Sequence, residues 1–127
     1  MKRTMIGLCV AALALAAAVP ALAVRTFGSE VKITGYNLGF VEGQVRSNFE
    51  KCEDRRGVEV WQDRTEGDDT LVGDDKTDAS GAFSVVDFGT GTTFYAVARN
   101  KEGRYRKPNG KRKKYQCPEV TSPPFTR

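Results

Sequence analysis

The feature that most constrains the fold is an alternation of apolar and polar side chains with a period of two residues. Residues 41–46 read Val-Glu-Gly-Gln-Val-Arg, and Val58 and Val60 flank Glu59 in the same pattern. Successive side chains of a β-strand point to opposite faces, so we expect the valine sides to face a core. No segment beyond residue 23 has a helical period over a useful length. The alternation therefore predicts an all-β fold.

Short runs rich in Val, Phe, Tyr and Thr recur at roughly 10-residue spacing between Gly, Asp, Asn and Pro clusters, which is typical of a β-sandwich. The predicted strands span residues 30–34, 39–47, 57–63, 70–76, 82–87, 92–99 and 114–121. The run TFYAVA at 93–98 is apolar on both faces, which predicts a central strand packed from both directions or a strand covered by a neighbouring loop. Pro118, Pro123 and Pro124 cannot donate ladder hydrogen bonds, so the last strand is expected at a sheet edge or to end after Thr121.

The N-terminal segment has the layout of a secretory signal peptide. Lys2 and Arg3 precede an apolar run at 5–19, and the small-residue tripeptide ending at Ala23 follows. A run of about 15 residues falls short of the roughly 20 that span a bilayer as a helix. No second apolar stretch follows, and Cys9 lies inside the run, where a lipid-attachment cysteine is not expected. We therefore expect a cleaved signal peptide at 1–23 and one secreted, extracellular β-sandwich domain at 24–127.

The cysteine count predicts one disulfide. Cys9 leaves with the signal peptide, so the mature chain keeps Cys52 and Cys117. An even count in an exported protein favours a disulfide over the alternative of two free thiols. Closing a loop of roughly 65 residues stabilises a fold by about 4 kcal/mol in the chain-entropy model. Two cysteines without histidine supply too few soft ligands for structural zinc, so we expect no metal and no cofactor.

A family resemblance follows from the succession of these elements over residues 39–122. It is carried by Val41-x-Gly43-x-Val45-x-Ser47, Cys52, Val58-x-Val60, "LVGDDKTDASGAFSV", "TFYAVA", Cys117 and Ser122. The chain resembles small secreted bacterial domains of the transthyretin-like (prealbumin-like), carboxypeptidase-regulatory-like group. The resemblance implies a single seven-stranded Greek-key sandwich, of the immunoglobulin or transthyretin type, with a hairpin between Thr70 and Val85. It also implies a structural or binding module.

The acidic run "EGDDTLVGDDKTDASGAF" raises the question of a calcium site. Its carboxylates are those of Asp68, Asp69, Asp74, Asp75 and Asp78. The Asp/Asn alternation with a central Gly and a Glu at the twelfth position is absent, which argues against a loop-type site without settling the matter. The alternative is a hairpin turn, in which Asp78 bonds backbone two residues on, Gly81 takes a positive φ and Phe83 begins a core strand.

Basic charge is concentrated near the C-terminus. From Arg99 to Lys114 there are nine basic residues and one acidic, whereas Glu50 to Asp78 holds eleven acidic and five basic. We predict a long exposed loop at 100–113, which we interpret first as a solvated segment whose lysines keep the protein soluble. The alternative is a patch that binds a polyanion such as a wall polymer, a sulfated glycan or nucleic acid. The residues that would bind the polyanion are Arg104, Arg106, Lys107, Lys111, Arg112, Lys113 and Lys114, and Tyr105 and Tyr115 could stack on it.

The absence of histidine narrows the possible chemistry further. It removes the usual general base, nucleophile activator and metal ligand, and with them the familiar serine or cysteine triads. The transthyretin-like branch that hydrolyses 5-hydroxyisourate uses histidines and a C-terminal Tyr-Arg-Gly-Ser, whereas this chain ends in Pro-Phe-Thr-Arg. A carboxylate-dependent hydrolase is the enzymatic alternative. We favour a non-enzymatic structural or binding module whose partner the sequence does not identify; the candidates are an anionic polymer and an envelope protein.

Trp61 is the remaining candidate residue. Alternation places it on the Glu59 face of its strand, away from the side of Val58 and Val60. An exposed tryptophan on a sandwich face indicates a ligand or partner surface. The alternative is that a loop or the N-terminal segment covers it.

Overall fold

A computed structural model describes residues 24–127, so the predicted signal peptide lies outside the described residues. One helical turn, α1 (Glu50–Glu53), interrupts a chain of strands. The strands are β1 (Arg25–Thr26), β2 (Ser29–Asn37), β3 (Phe40–Ser47), β4 (Gly57–Gln62), β5 (Thr70–Lys76), β6 (Ala82–Val86), β7 (Thr93–Ala98), β8 (Lys101–Arg106), β9 (Arg112–Cys117), β10 (Val120–Thr121) and β11 (Phe125–Thr126). The all-β prediction is confirmed, and the six strands predicted between residues 30 and 99 form as β2 to β7. Over residues 24–127, no helix has the length and apolar character needed to cross a bilayer.

Two sheets enclose the main core. One has the order β2-β3-β6, and the other has the order β10-β7-β4-β5 with β11 also paired to β7. The buried side chains that both sheets contribute are Val31, Ile33, Val41, Val45, Val58, Val60, Phe83, Val85, Phe94, Ala96 and Ala98. The valine faces predicted from alternation are therefore confirmed, and β7 is the central strand that its two apolar faces predicted.

A third sheet, of order β1-β9-β8, corrects the prediction of a long loop at 100–113. That segment is mostly a β-hairpin, and the chain reverses only between Lys107 and Lys111. Gly103 is a packing position: a Cβ there would lie 2.5 Å from the Tyr115 hydroxyl oxygen. Gly110 is the glycine that turns the chain, at φ +81°. The structure thus has three sheets, where the resemblance implied a seven-stranded sandwich.

The predicted strand at 114–121 is divided in two at Pro118. β9 ends at Cys117, and β10 begins at Val120 on the edge of the five-stranded sheet. Proline has no N–H to donate, which is why the ladder stops there. Beyond β10, the Ser122 hydroxyl takes the place of a strand partner and accepts the Ala96 N–H at 2.8 Å.

The turn at residues 77–81 has the predicted local chemistry but a different topology. Asp78 Oδ1 accepts the Ser80 N–H at 2.9 Å and the Ala82 N–H at 3.0 Å, and Gly81 has φ +85°. The hairpin prediction is wrong, because β5 pairs with β4 in one sheet while β6 pairs with β3 in the other. Turn residues fix the local backbone, whereas the choice of strand partner depends on residues distant in sequence.

The disulfide lies at one end of the sandwich. Cys52 and Cys117 are bonded, with Cα atoms 5.7 Å apart, as predicted. Both are buried in a second, smaller core with Tyr115, against which Phe27, Phe49 and Tyr105 pack. This small core joins the β8–β9 hairpin to α1. We call this part of the molecule the disulfide end.

Candidate binding site on the β8–β9 hairpin

Four basic side chains share the outer face of the β8–β9 hairpin. The strand register places Arg104 opposite Lys114 and Arg106 opposite Arg112. All four side chains are exposed. We call them together the cationic face.

The cationic face has no carboxylate partner in the part of the chain that the structure describes. Every ion pair found within residues 24–127 involves Arg99, which contacts Glu59 and Asp74 on another sheet. Like charges directly opposite each other on antiparallel strands destabilise the pairing. The hairpin carries two such pairs in succession. Its stability must therefore come from elsewhere, and an anion on this face would remove the repulsion.

The inner face of the hairpin supplies that stability. Tyr105 and Tyr115 point toward the small core, where the Phe49 ring centroid lies 5.2 Å from that of Tyr105 and 5.1 Å from that of Tyr115. Phe27 stacks on Phe49 at 4.1 Å between centroids. The expectation that these tyrosines stack on a ligand is wrong for Tyr115, which is 6% exposed and whose pKa is raised by burial. The rings support the hairpin instead.

The remaining three predicted lysines lie away from the cationic face. Lys107 and Lys111 close the hairpin turn, in which the Lys107 N–H donates to the Lys111 carbonyl at 2.9 Å. Lys113 is opposite Tyr105, on the inner face. Its ammonium lies next to that of Lys107 and lowers the pKa of the Lys107 side chain. The structure therefore places four of the seven predicted residues on the cationic face. Lys107 and Lys113 lie close to each other near the turn.

Arg56, which sequence reasoning missed, organises the base of the hairpin. Its side chain is fully buried. The guanidinium donates to the backbone carbonyl of Arg99 at 2.5 Å and to Ser29 Oγ at 3.0 Å. Further acceptors are the carbonyls of Cys52 at 3.0 Å, Cys117 at 3.3 Å and Pro118 at 2.7 Å. None of these partners is a carboxylate, and burial lowers the pKa of Arg56. Nothing in the sequence distinguishes it from Arg55.

Lys101 fixes the first residue of β8. Its ammonium donates to the carbonyls of Lys51 at 2.7 Å and Asp54 at 2.5 Å, at the end of α1. Cations stabilise the C-terminal end of a helical turn, where carbonyl groups lack backbone partners. Partial burial lowers the pKa of Lys101, and the nearby charge of Asp54 opposes this shift. Lys101 therefore holds the start of the β8–β9 hairpin against α1.

Trp61 lies on a different surface, the outer face of the five-stranded sheet. It is half-buried between its cross-strand partners Tyr95 and Leu71. Its Nε1 donates to Glu59 Oε2 at 3.0 Å, so it lies on the Glu59 face as predicted. The Tyr95 hydroxyl donates to Asp69 at 2.7 Å, which raises the pKa of Tyr95 to about 12 and lowers that of Asp69. Trp61 therefore contributes nothing to the cationic face.

The carboxylates of the acidic run are spread over separate partners. Asp74 contacts Arg99, Asp75 accepts the Ser84 N–H at 2.9 Å, and Asp78 stabilises the turn. Within residues 24–127 there is no group of three or more acidic, histidine or cysteine side chains arranged to hold a metal ion. Each carboxylate for which a contact is found has a local structural role.

Comparisons with models of protein families, with curated proteins and with solved structures found no match. The function is therefore inferred from the surface of the molecule.

Proposed function

We propose that the protein is an exported, non-catalytic binding domain that holds a polyanion on its cationic face. The observation that carries this proposal is the pairing of like charges across the hairpin, Arg104 with Lys114 and Arg106 with Arg112. These cations are exposed and have no carboxylate within ion-pair distance among the described residues. A bound anion offsets their mutual repulsion, because it attracts each of the cations.

The geometry of a β-hairpin suits a linear polymer with repeated phosphate or sulfate groups. Alternate residues on one face of a strand are about 6.8 Å apart, and opposite residues are about 5 Å apart. The four cations therefore form a compact array that successive anionic groups of one chain can occupy. Three of the four are arginines, whose planar guanidinium binds phosphate oxygens in pairs. Because the array lies on a hairpin anchored by Lys101 and the disulfide, little ordering is needed on binding.

We also propose that the protein is exported from the cell. The Cys52–Cys117 disulfide supports an oxidising compartment, which agrees with the expected signal peptide at 1–23. We further propose that the two facing sheets are those of a transthyretin-like Greek-key sandwich, to which the β1-β9-β8 sheet is added. Secretion is tested by N-terminal sequencing of the protein from the culture medium. A mature chain that begins at Val24 is expected, and an intracellular chain that keeps residue 1 would contradict export.

Polyanion binding is tested by replacing the four cations with serine and measuring affinity for heparin and for inorganic polyphosphate. We expect affinity to fall by about 100-fold, because each exposed ionic contact is worth up to about 1 kcal/mol and four are lost. The matched control removes the same charge from exposed basic residues elsewhere. Those residues are Lys32, Arg46, Arg64 and Lys76. An equal loss in the two variants would show attraction to net charge alone and would overturn the assignment.

A further inference from the structure

The last strand of the third sheet has one unpaired edge. Within residues 24–127, β8 pairs with β9 alone, through six successive residue pairs and without a bulge. An edge strand presents a row of backbone N–H and C=O groups with which another chain can pair. Many proteins bind an extended peptide by adding it as a strand to such an edge. The free edge of β8 is therefore a candidate site for a polypeptide partner.

The backbone groups of Glu102, Arg104 and Arg106 face this open edge. On the far side of β9, the Gln116 carbonyl accepts the Phe27 N–H at 2.9 Å, so Gln116 directs its backbone groups toward β1. Gln116 therefore does not exchange hydrogen bonds with Glu102, which lies opposite it in the register. Bonded and non-bonded pairs alternate along an antiparallel ladder. The N–H and C=O groups of these three β8 residues consequently point away from β9.

The open edge is also strongly cationic. Arg104 and Arg106 belong to the cationic face, and a groove of about 360 Å³ lies beside them. The residues that line this groove are Lys51, Arg104, Tyr105, Arg106 and Arg112. The lining thus holds four cations and no carboxylate. Charge complementarity across an interface selects the partner, so the groove favours an acidic one.

The acidic residues near this edge do not cancel its charge. Three carboxylate residues in and just after α1 are absent from the lining of the groove: Glu50, Glu53 and Asp54. Glu102 is the acidic residue of β8, and it lies on the same face of the strand as Arg104 and Arg106. From Glu102 to Arg106, the outward positions therefore carry one negative and then two positive charges.

We propose that β8 binds an acidic segment of a partner protein as an added antiparallel strand. In this arrangement, two acidic residues at alternate positions lie opposite Arg104 and Arg106 and offset the repulsion across the hairpin. The partner residue opposite Tyr105 lies on the inner face, where an apolar side chain packs against the ring. A second copy of β8 fits less well, because it would add its own two arginines to the four cations of the groove.

This site shares side chains with the polyanion site but differs from it in the use of the backbone. A sulfated or phosphorylated polymer needs only the charged groups of the cationic face. An added strand also needs the backbone N–H and C=O groups of Glu102, Arg104 and Arg106. The two ligands compete for the arginines, and the backbone hydrogen bonds distinguish them.

The test is fluorescence anisotropy with a labelled heptapeptide, Thr-Glu-Val-Glu-Val-Lys-Thr. In the antiparallel register its glutamates oppose Arg106 and Arg104, and its lysine opposes Glu102. Methylation of the two glutamate backbone nitrogens, which face β8 in this register, is expected to weaken binding by at least about 10-fold. The matched control is methylation of the two valine nitrogens, which face solvent. It is expected to change the affinity by less than about threefold.

A substitution in the protein tests the same hydrogen bonds. Glu102→Pro removes one outward N–H and leaves the four cations in place, and proline is tolerated on an edge strand where its nitrogen faces solvent. We expect the peptide to bind about 5- to 10-fold more weakly to this variant than to the matched control Glu102→Gln. Heparin should bind both variants at least as tightly as the wild type, which also shows that they fold.

Amide hydrogen exchange provides an independent measure of strand addition. At saturating peptide, the N–H groups of Arg104 and Arg106 should exchange at least about 10-fold more slowly, because they become hydrogen-bonded. Saturating heparin should leave their exchange unchanged. The expected peptide results without heparin binding would support this inference while contradicting the polyanion proposal.

Three results would overturn the proposal. The first is that the unmodified peptide does not bind, or that both methylated peptides lose affinity equally, since ionic attraction would then account for binding. The second is unchanged exchange of the Arg104 and Arg106 amides at peptide saturation, which is decisive even if Glu102→Pro folds poorly. The third is self-association of the protein alone that Glu102→Pro abolishes, because β8 would then be an interface between copies of the chain.

Discussion

At the scale of the residue, Arg56 connects segments that are far apart in sequence. Its guanidinium reaches the carbonyls of both half-cystines and of Arg99, as well as the hydroxyl of Ser29 on β2. A buried charge without a carboxylate is stable only when every donor is satisfied, and carbonyl groups do this here. The cationic hairpin starts from the same region. Arg56 is therefore one of the contacts, with Lys101 and the disulfide, that fix the orientation of the hairpin relative to the sandwich.

We predict that Arg56→Met lowers the free energy of unfolding by about 3–5 kcal/mol, because it leaves several buried carbonyls without donors. Arg56→Lys should be intermediate, since an ammonium keeps the charge but cannot reach all the acceptors. Urea denaturation measures both. The matched control is the exposed neighbour Arg55, at φ +48°, where Arg55→Asn should have little effect. Equal stability of Arg56→Met and the wild type would contradict this role.

A second prediction at this scale concerns pH. The Ser80 hydroxyl and the backbone N–H groups of the turn lower the pKa of Asp78 below its ordinary value. The native state therefore holds its proton less tightly than the unfolded chain, so the stabilisation is complete above the unfolded pKa near 3.9 and is lost as pH falls through the native pKa. The difference in stability between the wild type and Asp78→Ala should be constant from about pH 7 to pH 5 and shrink below about pH 4. Acid titration followed by circular dichroism measures it, and a constant difference down to pH 2 would contradict the assignment.

At the scale of the element, alternation and turn chemistry predicted much of the sandwich. The core faces of β3 and β4 follow from their valines, and the turn geometry follows from Asp78 and Gly81. Local sequence patterns do not show which strands pair with each other. The β8–β9 hairpin was predicted as a loop because Gly103 and the density of basic residues suggest flexibility, whereas Gly103 makes room for Tyr115. The passage of the chain from one sheet at β5 to the other sheet at β6 was missed for the same reason. Each of these strands pairs with a strand that is distant in sequence.

The stability of the β8–β9 hairpin depends on the packing of Gly103 against Tyr115. A Cβ at residue 103 would overlap the Tyr115 ring, so Gly103→Ala should destabilise the protein by about 1–3 kcal/mol and should also weaken heparin binding. Gly110→Asn is the matched control, because a Cβ there meets nothing and asparagine tolerates its positive φ. Thermal melts and heparin titrations of both variants decide the matter. An unaffected Gly103→Ala protein would mean that the packing of Tyr115 does not hold the hairpin.

At the scale of the whole molecule, the cationic face lies at the disulfide end of the sandwich. The formal net charge of the full chain is only +4, so overall composition conceals how the charge is arranged. The pairing of like charges became visible only with the register of β8 and β9. The position of Trp61 followed from alternation alone. Its contacts with Glu59 and with neighbouring strands make it part of a different surface.

The most direct test of the central claim is the salt dependence of binding to a single-stranded oligothymidylate. Four phosphate contacts release about three counterions, so the logarithm of the association constant should fall with the logarithm of salt concentration with a slope of about −3. Serine at Arg104, Arg106, Arg112 and Lys114 should bring the slope close to zero, while the control variant keeps it. An association constant insensitive to salt, or the same slope after the four cations are removed, would contradict the proposal that the β8–β9 hairpin binds polyanions.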